Sequence, residues 1–277
     1  MPCCDCRLIK ILLVLAVGGV AVGFADSQVD AVSGWESAAT FFPNESLMVF
    51  ERLGGDRPDG PREARFGYAV SLMSATPSTE QRLDAAEAIF EDLAASGGDH
   101  FALGSRYLLG RLSQIYRSPS DPARAASHFR HLVEHDLESR WGQMALTKLT
   151  ILVVYALPDA GEPRERIRAG TELLGLAMTP DARRDINMIL ASAHFHYELE
   201  PTGALPFLLA AEEGGYLDVG TRSDVLVRLG ELLVLADRVD EAIVYYQRFV
   251  DDFYGAARRY AVEQKILALQ EGRETIP

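Results

Sequence analysis

Three histidines are the residues of this chain whose type and spacing come closest to a reactive site. His128, His131 and His135 stand at positions i, i+3 and i+7, which helical geometry places within an arc of about 60°. The pair His131 and His135 has the i, i+4 spacing of a two-point metal clamp. No carboxylate stands where a His-Glu-x-x-His zinc site carries one, and Phe129 and Leu132 mark the neighbouring face as ordinary core. Metal binding by this histidine face is therefore one alternative function.

Other sequence patterns that carry catalysis are missing. The sequence has no glycine-rich phosphate loop, no Gly-x-Ser-x-Gly nucleophile elbow and no cysteine after Cys6. His194 and His196 lie on either side of Phe195 and are interpreted as local features. We therefore expect a protein that is not an enzyme and that needs no cofactor.

The helices that would carry these histidines form a repeat. Five times an Ala is followed four residues later by Phe, Leu or Tyr, and three residues after that by another small or apolar residue. Successive starts are separated by 39, 44, 35 and 38 residues, a period typical of stacked helix pairs. Offsets of four and seven return side chains to one helical face. The five predicted stripes are Ala86/Phe90/Leu93, Ala125/Phe129/Leu132, Ala169/Leu173/Leu176, Ala204/Leu208/Ala211 and Ala242/Tyr246/Phe249.

A second stripe precedes three of these sets, beginning 13 residues before the Ala: Leu112/Ser113/Tyr116, Ala191/Ser192/Phe195 and Leu229/Gly230/Leu233. Small residues on both helices would let them approach where bulky neighbours interlock. The pattern resembles the tetratricopeptide repeat (TPR) over roughly residues 62 to 255, and Ala210 to Gly214 looks like the end of a related Sel1-like repeat. This resemblance implies an α-α superhelix whose groove binds partner peptides or helices.

The predicted fold class is therefore all-α, a TPR-like solenoid of about five helix pairs over residues 62–277 with a C-terminal capping helix from Ala256 to Leu269. Pro77 interrupts the first helix of unit one, and Pro158 and Pro163 bracket a loop in unit three, so both units need longer connections. The predicted helix starts are Ser78, Asp121 with Pro122, Thr179 with Pro180, and Asp240.

Residues 1–25 read as an export signal. Arg7 and Lys10 precede an apolar run from Ile11 to Phe24, and small residues stand at Gly23 and Ala25, which favours cleavage after Ala25. An uncleaved membrane anchor is the alternative. Either interpretation predicts an exported protein, periplasmic or anchored in the inner membrane and facing the periplasm.

Cysteine usage and charge narrow the class of partner. Cys3, Cys4 and Cys6 precede the apolar run, so the exported part has no disulfide, and no Cys follows the run as a bacterial lipoprotein requires. The net charge of −13 disfavours nucleic acid and anionic lipid. Membrane contact is expected only through the N-terminal segment, if that segment stays uncleaved.

Residues 26–61 differ from the repeats and are interpreted as a linker and N-terminal capping segment. Several large apolar residues need a partner surface there, so the same segment is also a candidate docking segment through Trp35, Phe41, Phe42 and Phe50.

The predicted function is a non-enzymatic scaffold or adaptor that binds other proteins of the bacterial cell envelope. The last repeat, Ala242 to Tyr254, is similar to those of TPR proteins that assist outer-membrane assembly and cell-division coordination. The resemblance implies groove contacts on first helices, and the candidates are Arg106, Gln114, Lys148, Asn187, His194 and Arg228. The first alternative is a structural subunit of an envelope assembly, docked through residues 35–50. The second alternative is a metal-binding protein that uses His128, His131 and His135.

Overall fold

The computed structural model describes residues 25–158, 160–214 and 218–273. These residues form 13 α-helices, two π-helical turns and one short 3₁₀ helix, without any β-strand in that part of the chain, which confirms the all-α prediction. Except for Ala25, the predicted signal or anchor lies outside the described residues, as do Cys3, Cys4 and Cys6. No helix among the described residues is both long enough and apolar enough to cross a membrane.

The chain divides into two compact units, residues 1–145 and 146–277. The first unit contains α1 Ala25–Ala39, α2 Pro43–Arg52, α3 Arg62–Ser74, α4 Glu80–Ala95, α5 His100–Arg111 with the π-turn Leu112–Tyr116, and α6 Pro122–His135. Helix α7, Arg140–Ile151, runs through the division and ends in the π-turn Leu152–Ala156. The second unit continues with α8 Pro163–Leu174, α9 Pro180–His196, the 3₁₀ helix Pro201–Ala204, α10 Leu205–Glu213, α11 Val219–Leu235, α12 Val239–Asp252 and α13 Arg259–Gln270.

The first unit packs as successive helical hairpins around aromatic side chains. Each of the helices α1 to α5 contacts the next one in the chain, and α3 also contacts α1 and α5. The Phe66 ring lies 6.1 Å from Trp35, 5.9 Å from Phe90 and 6.4 Å from Trp141, centroid to centroid. Burial of such rings dominates core energetics, so Phe66 ties α1, α4 and the start of α7 together.

The second unit has its own core, which is densest between α11 and α12. Leu229 and Leu233 of α11 pack with Ala242, Tyr246 and Phe249 of α12, all at most 1 % exposed. Helix α13 adds its buried Val262 and Ile266 to the same cluster. Tyr260 and Leu267 of the same helix are exposed, because the buried face of α13 passes through Val262 and Ile266.

Four of the five predicted second-helix stripes form the core, and one is wrong in register. The stripes that begin at Ala86, Ala125, Ala204 and Ala242 are buried at every member. In unit three, however, Leu176 is exposed, while the buried small residue is Gly170 rather than Ala169. The buried small residues are Gly170 and, beyond the end of the helix at Leu174, Ala177, while Leu173 and Leu174 are both half-buried. Gly170 fits there because Leu190 and Val154 lie close to its backbone.

The preceding stripes were predicted with less success. Leu229/Gly230/Leu233 is buried as expected, but Ser192 and Phe195 on α9 are exposed and Ala193 is buried in their place. Leu112 and Ser113 are buried, but they belong to a π-turn. The backbone N–H of Arg117 bonds the carbonyl of Leu112 at 3.1 Å, and this five-residue spacing shifts the stripe.

Local chemistry explains where helices begin. Asp121 and Thr179 cap α6 and α9 through side-chain oxygens, as predicted. Helix α4 is capped by Thr79 rather than Ser78, since the Thr79 side chain accepts from the N–H of Arg82. Helix α12 begins at Val239 with Arg238 at its N-cap, so the predicted start at Asp240 lies two residues too late.

Candidate interaction site

An apolar cavity of about 260 Å³ lies between α1, α2 and α3. Its lining includes Trp35 and Ala38 of α1, Phe41 of the turn that follows, Pro43 at the start of α2, and Val70 and Ser74 of α3. The ring of Trp35, which lines the cavity, lies 4.9 Å from the ring of Phe50, centroid to centroid. Three consecutive helices thus leave a small apolar recess at the surface of the first unit.

Hydrogen bonds hold the polar edge of this cavity. The hydroxyl oxygens of Ser46 and Ser71 are 2.7 Å apart, and Asn44 Nδ2 donates to the carbonyl of Thr76 at 3.1 Å. The indole N–H of Trp35 donates to Glu63 Oε1 at 3.1 Å. Since Ser71 and Thr76 also line the cavity, its walls are held by contacts between α1, α2, α3 and the following loop.

The four predicted docking residues divide into two pairs. Trp35 and Phe50 are buried inside the first unit, at 4 % and 0 % exposure, so they hold α1 and α2 on α3. Phe41 and Phe42 are 57 % and 56 % exposed. Phe41 also has a φ of +66°, in the left-handed region that costs a non-glycine residue free energy. Among the four predicted docking residues, the exposed aromatic rings are therefore the two in the turn between α1 and α2.

The two proposed groove residues of the first unit are half-buried. Gln114 Oε1 accepts a hydrogen bond from Arg111 Nη1 at 2.9 Å. Arg106 lies near His128 and His131, where its positive charge lowers their pKa values, although burial is the larger cause. Gln114 and Arg106 thus both interact with residues of the first unit itself.

The second unit holds the other four groove candidates. Asn187 is buried and donates from Nδ2 to the carbonyl of Arg183 at 2.9 Å, and Lys148 is half-buried on α7. His194 packs beside Phe207 and lines a cavity of about 220 Å³, and burial lowers its pKa. Arg228 is the most exposed, with its guanidinium 5.0 Å from the Phe195 ring centroid. Arg228 is thus the most accessible of the four.

The three histidines do not converge. The rings of His131 and His135 stack with centroids 4.3 Å apart, and His135 Nδ1 lies 2.9 Å from the carbonyl oxygen of His131. Burial first, then the charges of Arg124 and Arg106, lowers the pKa of His128 to about 4. Within the described ranges, no group of three His, Cys, Asp or Glu side chains could hold a metal ion. The metal-binding alternative has no geometric support there.

Sequence reasoning missed the α3 wall of the cavity. Val70, Ser71 and Ser74 belong to a helix that the repeat pattern placed next to a proline-distorted loop, and their role appears only when α1 and α2 pack on α3. The available signal was the run of small and apolar residues from Ala69 to Ala75. Such a run fits a helix with neighbours on both sides.

The site as a whole can bind apolar groups, and the described lining contains no arrangement of a nucleophile and base. The chain matches no protein-family model and no curated protein sequence in the comparisons.

Proposed function

We propose that this chain is a TPR-like solenoid that acts as a non-enzymatic scaffold or adaptor in the bacterial cell envelope. The observation that carries the proposal is a recurrent crossing of consecutive helices, in which an aromatic ring lies against a glycine. The pairs are Phe50 with Gly67, Phe129 with Gly110, and Tyr246 with Gly230. Repeated helical hairpins of this kind present extended surfaces to partner peptides or helices.

Charge and location define the proposed partners. The net charge of −13 favours other envelope proteins over nucleic acid. Export rests on the sequence of residues 1–25, so cell fractionation with N-terminal sequencing of the mature chain is the direct check. A mature chain in the periplasm or inner membrane supports the proposal, and a cytoplasmic chain with Met1 retained contradicts it.

Site-specific photocrosslinking tests the groove. Benzoylphenylalanine at Arg228 of α11 is expected to give discrete adducts with an envelope protein, because this groove candidate is exposed. The same group at Gln247, exposed on the second helix α12, is the matched control and is expected to give none. Equal adducts at both positions, or none at Arg228, would remove support for the groove.

A second candidate function is a structural subunit docked through residues 35–50, and the exposure of Phe41 and Phe42 favours it. Deleting the segment would also remove the buried Trp35 and Phe50, so a point substitution is the cleaner test. Phe42 occupies the N-cap of α2, where Ser is preferred. We expect Phe42→Ser to release the chain from its envelope assembly without lowering its unfolding temperature.

A further inference from the structure

The cavity between α1, α2 and α3 has the size of one side chain. Its volume of about 260 Å³ falls below the roughly 300–1,000 Å³ of pockets that hold drug-sized ligands. Trp35, Ala38 and Val70 give it apolar walls, and the hydroxyl-bearing Ser74 and Thr76 lie at exposed positions. A pocket of this kind suits an anchor residue of a protein partner, with polar groups left over for the anchor's backbone.

The rim of this pocket is held in an unfavourable backbone conformation. Phe41 combines a φ of +66° with an exposed ring. Folding gains little from an exposed ring, and glycine or asparagine would accept this φ at lower cost. Such strain at a surface aromatic is typical of ligand-binding positions, so the Phe41 ring is available to close over an inserted side chain.

The charged residues near the pocket indicate which residues of a partner would lie on either side of the inserted side chain. Helices α1 and α2 together contain five acidic residues and one basic residue, Arg52. Glu36 and Glu45 are exposed; in the sequence, Glu36 follows the pocket residue Trp35 and Glu45 stands two residues after Pro43. Glu63 accepts from the Trp35 indole. The guanidinium of Arg82 donates to the carbonyl of Pro77 at 2.8 Å, so one positive charge lies on the side of the loop after α3, and the acidic groups lie on α1 and α2.

We propose that this pocket binds a peptide segment of a partner protein that inserts one large apolar side chain, Phe, Trp or Leu, between flanking basic residues. The proposal rests on the proposed function in protein binding, and it names the chemistry of the partner. The anchor fills the recess between Trp35, Phe41 and Val70, and the Lys or Arg flanks face Glu36 and Glu45. Complementary charges of this kind steer association and choose among partners.

Fluorescence anisotropy with labelled peptides and the full-length protein tests the pocket. The probe is acetyl-Lys-Lys-Phe-Lys-Lys-amide, and its controls replace Phe with Ala or each Lys with Glu. A fourth peptide carries residues 7–24 of this chain, the other segment able to supply apolar side chains. We expect saturable binding of the probe, about tenfold weaker binding of both control peptides, and weaker binding at high salt.

Variants that fill the pocket with a large side chain provide a second test, and the same substitution elsewhere on the surface is their control. Ser74→Trp and Thr76→Trp place a large side chain at exposed lining positions and should each weaken the probe about tenfold or more. Ser127→Trp makes the same change at an exposed position of α6 and should bind as the wild type does. Circular dichroism confirms that each variant is folded, and having two filling variants keeps the test decisive if one is not.

Several results would overturn the pocket. These are absence of probe binding at millimolar concentration, equal binding of the Ala or Glu peptide, unchanged binding by both filling variants, or displacement of the probe by the residue 7–24 peptide at lower concentration. If any of these results is obtained while the crosslink at Arg228 is still formed, the pocket is rejected and the groove is kept. Probe binding without any crosslink would instead reject the groove and keep the pocket.

Discussion

The aromatic ring of Tyr246 lies directly against the backbone of Gly230. A Cβ atom on Gly230 would stand 2.6 Å from Cδ1 of this ring, closer than carbon atoms approach, and the ring is 1 % exposed and has no room to move. The helix pair α11 and α12 is therefore set at a separation that only glycine at this position allows.

Substituting this glycine should destabilise the second unit. Gly230→Ala gains helix propensity but forces the α11–α12 contact apart, with an expected net loss of about 2 kcal/mol in the free energy of unfolding. Urea denaturation measures it. Gly255→Ala is the control, because a Cβ there meets nothing within 4 Å, and it should be neutral. Equal stability of both variants would show that the crossing tolerates a side chain.

Arg117 should contribute to the stability of the first unit. Its guanidinium pairs with Glu80 and Asp84 at 2.7 Å each, and with Glu87. The Arg117 side chain is 19 % exposed and that of Glu87 is 15 % exposed, so solvent screens the Glu87 pair only partly. We expect Arg117→Ala to cost about 2 kcal/mol and the loss to shrink at high salt.

An exposed ion pair supplies the comparison for this arginine. Arg238 pairs with Glu241 on the surface of the second unit, 2.7 Å apart. Arg238→Ala should leave the denaturation midpoint unchanged, because solvent screens this pair fully. If Arg117→Ala behaves in the same way, the contacts of Arg117 do not stabilise the fold.

Acid should weaken the fold through His128. Burial lowers its pKa to about 4, with Arg124 and Arg106 acting in the same sense and Glu87 in the opposite one, whereas an unfolded His has a pKa of about 6.5. The unfolded chain thus binds more protons between these values, so stability falls as the pH decreases from about 6.5 to about 4. Unfolding midpoints at pH 7.5 and pH 5 measure this change.

The variant His128→Gln separates the contribution of His128 from that of other histidines, because Gln does not titrate in this pH range. Burial also lowers the pKa of His100, His131 and His194, so the variant keeps part of the pH dependence. We expect the decrease between pH 7.5 and pH 5 to be smaller in His128→Gln than in the wild type. An identical decrease would mean that His128 is protonated equally in the folded and unfolded chain.

Relief of backbone strain at Phe41 should stabilise the chain. Asn accepts the left-handed conformation that Phe41 adopts, and the exposed ring contributes little burial. We expect Phe41→Asn to raise the free energy of unfolding by about 1 kcal/mol while weakening peptide binding at the pocket. Thermal unfolding measures the first effect, and a lower unfolding temperature would show that the ring stabilises the turn.

The sequence predicted where the helices lie in the chain better than which face of each helix is buried. The stripes from Ala86, Ala125, Ala204 and Ala242 were found because spacings of four and seven mark a buried helical face. The third stripe failed because Ala169 and Gly170 both start an acceptable set, and only contact with Leu190 and Val154 decides between them. The π-turns leave no composition signal, and they shift the residues that follow.

The candidate site was predicted in part. Large apolar residues in positions 26–61 were recognised as needing a surface, but Trp35 and Phe50 find that surface within the chain while Phe41 and Phe42 do not. The difference depends on α1 and α2 folding back on α3, a tertiary contact that hydrophobic content alone does not specify. For the same reason the α3 wall with Val70 and Ser74 was not foreseen.

Helix α4 makes two sets of contacts, one from its buried apolar face and one from its acidic face, and both depend on the regular spacing of helical turns. Ala86, Phe90 and Leu93 are buried, while acidic residues from Glu80 to Glu91 reach Arg117 and Arg124. One extra residue inside α4 would rotate everything after it by about 100° and disrupt both sets together. The following turn is different, since a Cβ on Gly97 or Gly98 meets nothing within 4 Å. A residue added at that turn would disturb the contacts of Arg62 with Ser96 and Asp99, but it would leave the buried face and the ion pairs of α4 in register.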